Sequence, residues 1–130
     1  VPPVVRGGCT HSYFMWTARL DKSIAEHREK IVKALQAEGV PLAQGYVRPL
    51  YRLPVFQKQV AIGREHFPFS LGKVSYNPSD FPVVEACHYK EVIQIQPVSW
   101  DMKPYHLEQI IQAFEKVFSQ IDEVIGRDLA

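Results

Sequence analysis

Cysteine is scarce in this chain: only Cys9 and Cys87 occur, too few for a disulfide framework, which favours a reducing, cytoplasmic setting. No apolar run approaches the ~20 residues of a membrane span. The opening VPPVVRGG lacks the apolar centre of a signal peptide, so no membrane partner is expected. Nor is one sign of charge in excess. Fifteen basic and fourteen acidic side chains leave +1, too little for a surface built to hold a phosphate backbone. Arg48, Arg52 and Arg64 could still make a local patch, but no nucleic-acid partner is expected. The seven glycines form no GxGxxG or P-loop, and no GxSxG occurs, which removes the usual phosphate cradles and the nucleophile elbow.

What is present has the balance of a folded domain. A hydrophobic share of 46% and a charged share of 22% exclude a disordered or fibrous chain. The 130 residues suffice for one compact domain that buries about two thirds of its unfolded surface. The first residue is Val1 and not methionine, which raises the expectation of a processed product or a piece of a longer protein.

Residues 12–20 (SYFMWTARL) alternate with a period of two and predict a strand, with Phe14, Trp16, Ala18 and Leu20 on one face. Residues 23–38 predict a surface helix opened by a Ser23/Glu26 capping box and closed by Gly39. Ile24, Ile31, Ala34 and Leu35 form its apolar stripe, and Glu26–Lys30 and Glu29–Lys33 are spaced as ion pairs. A short helix is expected from Pro82, with Asp80 as its cap. VIQIQ at 92–96 predicts a strand. A long helix then runs from Pro104, preceded by Asp101 or Lys103, to Ile125, with Gly126 as the stop. This order predicts an α/β (α+β) fold: a small, mostly antiparallel sheet with helices on one face.

Between these elements, residues 40–82 carry six of the ten prolines, interleaved with Tyr46, Tyr51, Phe56, Phe67, Phe69, Tyr76 and Phe81. Proline blocks helix interiors and central strands, so an ordered loop with short extended pieces is expected. Its aromatic content sets it apart from a linker, and a connection of this length in a compact domain is usually functional. Within QGYVRPLYRLPVF, at 44–56, Tyr46, Arg48, Tyr51 and Arg52 sit between Pro41, Pro49 and Pro54. Tyrosine offers a flat apolar face and a hydroxyl, and arginine a planar fork matched to carboxylate or phosphate. The competing reading packs the tyrosines under the loop and leaves the arginines solvated. Cys9, His11, Cys87 and His88 are spaced poorly for a zinc site, because Cys87 and His88 are adjacent. Neither a metal nor a catalytic group is expected from these residues.

GVPLAQGYVRPLYRLPVF resembles the segment after the first small-domain helix in the DegT/DnrJ/EryC1/StrS family, the pyridoxal-phosphate aminotransferases that act on nucleotide-linked sugars and cyclitols. His11-Ser12-Tyr13-Phe14 resembles that family's H-S-Y strand opening. His27-Arg28 through Gly39-Val40 resembles its R-x-x-L…L-x-x-x-G-[IV] helix. FPVVEACHYKEVIQIQP resembles its P-V-A-E helix and following strand, and the closing helix completes the match over nearly the whole chain. The resemblance implies the fold of the C-terminal small domain of a fold-type-I enzyme. It also implies what lies elsewhere. The Schiff-base lysine, the aspartate on the pyridine nitrogen and the phosphate-binding groups belong to a preceding large domain, and none of the eight lysines here stands in such a context.

By resemblance, then, residues 1–130 are one lobe whose partners are the large domain of the same chain, a second subunit in a homodimer and a small keto-sugar or cyclitol. Pyridoxal 5′-phosphate would be the parent's cofactor and is not expected on this lobe, which would be inactive alone. Tyr46 matches the tyrosine of the family's H-Y-x-P-[LV]-H loop and Pro49 its proline. Gly45 and Tyr51 stand where many members have the two histidines, and the form G-Y-x-x-P-L-Y-R looks more like the cyclitol or amino-sugar branch. The implied substrate-binding residues are Tyr46, Arg48 and Tyr51, with His11 and Tyr13 as a second rim group; the implied role is recognition and active-site closure. The alternative is a self-contained ferredoxin-like ligand-binding or regulatory module.

Overall fold

The computed structural model describes residues 4–12, 14–95 and 101–126. Three strands, β1 (Trp16–Arg19), β2 (Leu42–Gln44) and β3 (Val92–Ile95), form one sheet in the order β1-β3-β2. Both neighbours of β3 run antiparallel to it, so β1 and β2 are parallel to each other with β3 between them. The helix α1 (Arg28–Ala37) joins β1 to β2, giving a split β-α-β unit. The expected α+β fold with a small antiparallel sheet is therefore present.

Register explains the core. Trp16 faces Ile95 and Ala18 faces Ile93 across the β1–β3 ladder, while Leu42 faces Ile95 on the other side. Ile31, Val32 and Leu35 of α1 pack with these strands and with Ala113 and Val117 of α4 (Pro104–Ser119) and Ile125 of α5 (Ile121–Ile125). The period-two set of β1 and the three-four spacing of the helices thus meet in one cluster. Trp16 extends it by an edge-on contact with Phe114, ring centres 5.6 Å apart. Lys30 Nζ donates to the Ile125 carbonyl at 2.7 Å, so a cation of α1 closes the C-terminal end of α5. Arg19, held by Glu91 through both its Nε at 2.9 Å and its Nη2, ties β1 to the residues before β3.

Several local expectations are corrected. The Ser23/Glu26 capping box does not form: Asp21 accepts from the backbone N–H of Ser23 at 2.9 Å and its hydroxyl at 2.7 Å, and a 3₁₀ turn (Ala25–His27) precedes α1. The short aspartate side chain captures its own turn before the serine can cap the helix. Glu29–Lys33 pairs at 2.7 Å as its spacing implies, but Glu26 reaches Lys90 instead of Lys30. Asp80 ends a 3₁₀ turn (Pro78–Asp80), and Phe81 takes the cap position of α3 (Pro82–Ala86) without a side-chain bond. The long closing helix breaks at Gln120, whose φ and ψ of −114° and 28° separate α4 from α5. Lys103, not Asp101, is the residue at the N-cap of α4. Phe14 is exposed and takes no part in the core. Gly39 and Gly126 follow α1 and α5 in the left-handed conformation, at φ 88° and 77°, as expected of helix stops.

Candidate functional site

Residues 45–91 connect β2 to β3 with a path that rises from the sheet and returns by α3 and a π turn (Cys87–Glu91). The departure point is Gly45, with φ +62°. A Cβ there would lie 3.0 Å from the carbonyl oxygen of His88 and 3.2 Å from its Cε1. Only glycine allows both the left-handed backbone and this approach, so Gly45 sets the loop flush against the π turn. Arg28 holds that turn from below, its Nη1 donating to the carbonyls of His88 at 2.8 Å and Val92 at 3.2 Å. Burial lowers the Arg28 pKa. Burial and then the Arg28 charge push the His88 imidazole below its ordinary value, so it is neutral at pH 7.

The loop is fastened a second time. Pro49 is buried and starts a 3₁₀ turn, Leu50–Arg52, that turns Tyr51 inward. Tyr51 is 6% exposed and stacks on Phe81 of the returning segment, ring centres 4.3 Å apart and 14° from parallel. Its hydroxyl donates to Glu85 of α3. Arg52 Nε donates to Glu85 Oε1 at 2.9 Å, and its Nη2 reaches both carboxylate oxygens at 2.8 and 2.9 Å. The Arg52 guanidinium lies 5.2 Å from the ring centre of Tyr89, a cation–π distance. The Tyr51 hydroxyl, and after it Arg52, hold the Glu85 carboxyl below its usual range against the opposing effect of burial. Burial and then Glu85 raise the Tyr51 pKa. Beyond the fastening, Phe69 meets Phe56 and Tyr76 edge to face, Phe56 and Tyr76 are tilted against each other, and Gln57 Nε2 donates to the carbonyls of Tyr51 and Tyr76 at 2.6 and 2.9 Å. Aromatic contacts pack the long connection, but beyond β2 its regular pieces are short helical turns, Leu50–Arg52, Pro54–Gln57, Phe69–Leu71 and Pro78–Asp80, where short extended pieces were expected, because proline at the first position of a turn fits a helical start.

A cavity of about 360 Å³ opens beside this latch, lined by Arg48, Arg52, Gln57, Pro78 and Tyr89. Tyr46, 55% exposed, and Arg48 stand on the outer side of the loop. Of the residues expected to bind substrate, Tyr46, Arg48 and Tyr51 therefore share one short loop, with different placements. Tyr46 and Arg48 face outward. Tyr51 is turned under the loop, and its hydroxyl is committed to Glu85. His11 is exposed on the segment before β1, and Tyr13 lies outside the described residues. Glu85, His88 and Tyr89 were not singled out as site residues. Their spacing of three and four on a helix leading to a strand, opposite an arginine-rich loop, was the signal that could have found them.

Chemically the arrangement offers oriented hydrogen-bond donors and aromatic faces. The Glu85 carboxylate is consumed by Tyr51 and Arg52, while guanidinium groups and aromatic faces remain open at the cavity. Cys9 is exposed and Cys87 half-buried, both as free thiols. Among the described residues no three His, Cys, Asp or Glu side chains converge on a possible metal position, and no helix is long and apolar enough to cross a membrane. No protein-family profile, curated protein or solved structure matches the chain.

Proposed function

We propose that this chain is the small lobe of a pyridoxal-phosphate aminotransferase resembling the DegT/DnrJ/EryC1/StrS family, and that it forms part of the rim of a keto-sugar or cyclitol pocket. The observation that carries the reading is the latched loop. Tyr51, Arg52 and Glu85 fix residues 45–53 so that Tyr46 and Arg48 are presented outward beside a cavity. Preorganisation of this kind lowers the ordering cost of recognition. Tyr46 offers a ring for stacking on a sugar or cyclitol and a hydroxyl for its polar edge, and Arg48 offers a fork of donors.

In this reading the division of labour is simple. When bound in the parent, pyridoxal phosphate supplies the electron sink for amino transfer, on groups of the preceding large domain. The present lobe binds and orients the acceptor and helps to exclude water, and by itself does not turn over substrate. A cytoplasmic, homodimeric parent belongs to the same proposal. Expression of the intact reading frame tests it. The expected product carries a lysine-bound, yellow cofactor and transfers an amino group from glutamate or glutamine to a keto-sugar or cyclitol. A frame without a lysine-bearing domain upstream, or turnover by these 130 residues alone, overturns it and leaves the self-contained module, for which the split β-α-β unit speaks.

A further inference from the structure

The cavity beside the latch has an electrostatic asymmetry that the rim reading does not use. Two guanidinium groups line it, from Arg48 and Arg52. The carboxylate of Glu85 faces Arg52 through Nε and Nη2, which leaves the Nη1 hydrogens of Arg52 without an acceptor among the described residues. Arg48 makes no ion pair or hydrogen bond among them. Of the cations near the π turn, Arg28 is engaged by two carbonyls and Lys90 by Glu26. One uncompensated positive charge therefore stands in a concave, partly apolar site, next to a second guanidinium whose orientation is locked by a carboxylate and by Tyr89. An anion here would gain charge-assisted hydrogen bonds from a donor group that is already oriented. Three cations and one acid would be a patch; one locked and one free arginine around a cavity of about 360 Å³ is a pocket, at the lower end of ligand-site volumes.

We infer that the Arg48–Arg52 cavity is an anion subsite that takes a phosphate ester or a carboxylate of the ligand. The inference rests on the rim reading only in treating that ligand as the substrate; the binding of the anion is a property of this chain. Arg52 supplies the fixed half of the clamp and Arg48 the adaptable half, with the Tyr89 ring as the wall behind Arg52.

Titrating the isotope-labelled chain with inorganic phosphate, at constant ionic strength set by potassium chloride, tests this directly. Saturable NMR shifts are expected at the side-chain Nε of Arg48 and Arg52 and at the Tyr89 amide. Arg48→Gln should weaken phosphate binding at least ~10-fold, or about 1.4 kcal/mol, while Arg64→Gln, elsewhere on the loop, leaves it unchanged. Arg48 has no hydrogen bond or ion pair to lose among the described residues, so its variant should keep the melting temperature of the unsubstituted chain. A parallel titration with acetate separates the two sources: saturation by phosphate alone assigns a phosphate ester, and saturation by both assigns a carboxylate as well. Shifts no larger than chloride produces, or equal phosphate binding by both variants, overturn the subsite. Phosphate binding by a chain whose reading frame has no cofactor domain would keep the subsite and remove the aminotransferase; a yellow parent blind to phosphate would do the reverse.

Discussion

Glu85 receives Arg52 on both carboxylate oxygens, at 2.8 and 2.9 Å from Nη2, and on Oε1 again from Nε at 2.9 Å, across 33 residues of chain. The same Oε1 accepts the hydroxyl of Tyr51. A single carboxylate therefore anchors two consecutive residues of the loop, one buried and one at the edge of the cavity. Carboxylate–guanidinium forks have directional as well as electrostatic preference, so this contact fixes the loop's orientation and not merely its distance from α3.

Replacing Glu85 should release the loop before it unfolds the domain. In Glu85→Ala the Tyr51 hydroxyl loses its acceptor in a buried setting and Arg52 loses its partner. Amide exchange at residues 45–53 should rise by an order of magnitude or more, while α1 and β3 keep their protection. Glu85→Gln retains one acceptor and should fall between the two. Equal protection of the loop in the parent and the alanine variant would show that the latch does not hold it.

At Gly45 the expected change is one of stability. Alanine at φ +62° meets the left-handed penalty, about 1–2 kcal/mol, and its Cβ would also come within 3.0 Å of the His88 carbonyl oxygen. Gly45→Ala should therefore lower the denaturation midpoint by more than Gly7→Ala, where a Cβ meets nothing within 4 Å. Equal midpoints for the two variants would mean that the loop shifts off the π turn at no cost.

Elements with a strong internal signal were legible in the sequence: the period-two set around Trp16 and Ala18, the stripe of Ile31 and Leu35, and the aromatic loop whose inward turn opens at Pro49. What was not legible depended on competition or on distance. Asp21 outcompeted Ser23 for the turn before α1. Gln120 broke a helix whose apolar spacing continues through it, because hydrophobic periodicity reports a face and not the hydrogen bonding of each turn. In the site, Tyr51 and Arg52 were visible as residue types. Their acceptor Glu85 lies on another element, and no local pattern states which of fourteen acidic residues a distant arginine will meet.

Acid should weaken the fold in two stages. The His88 pKa lies below the ordinary value near 6.5 in the folded chain, through burial and the charge of Arg28, with Arg52 acting in the same direction and Glu85 against. The unfolded chain then binds the proton first, so stability is full above about 6.5 and falls as pH drops through the folded value. Glu85, also depressed, adds a second loss below the usual carboxylate range near 4.5. Denaturant midpoints measured from pH 7.5 to 3 should decline in the parent, and His88→Gln should flatten the upper stage while keeping the lower one. An identical decline in the variant would assign the upper stage to other groups.

The tip of the loop makes the last prediction. Ile62 and Phe67 face each other across an isolated bridge, with backbone hydrogen bonds of 2.9 and 3.1 Å in the two directions, yet both side chains are exposed, as are Val60, Leu71 and Val74. The base of the same loop is closed by Phe56, Phe69 and Tyr76, so the tip is held out by an ordered stem. Apolar side chains grouped on one exposed projection exceed the scattered background of ordinary surfaces. The chain should bind a hydrophobic dye in its native state, and the double variant Phe67→Ser, Leu71→Ser should reduce the signal by at least half without lowering the melting temperature, since neither residue belongs to the core cluster. Undiminished dye fluorescence in that variant would move the sticky surface elsewhere, to the exposed Leu107 and Ile111 side of α4.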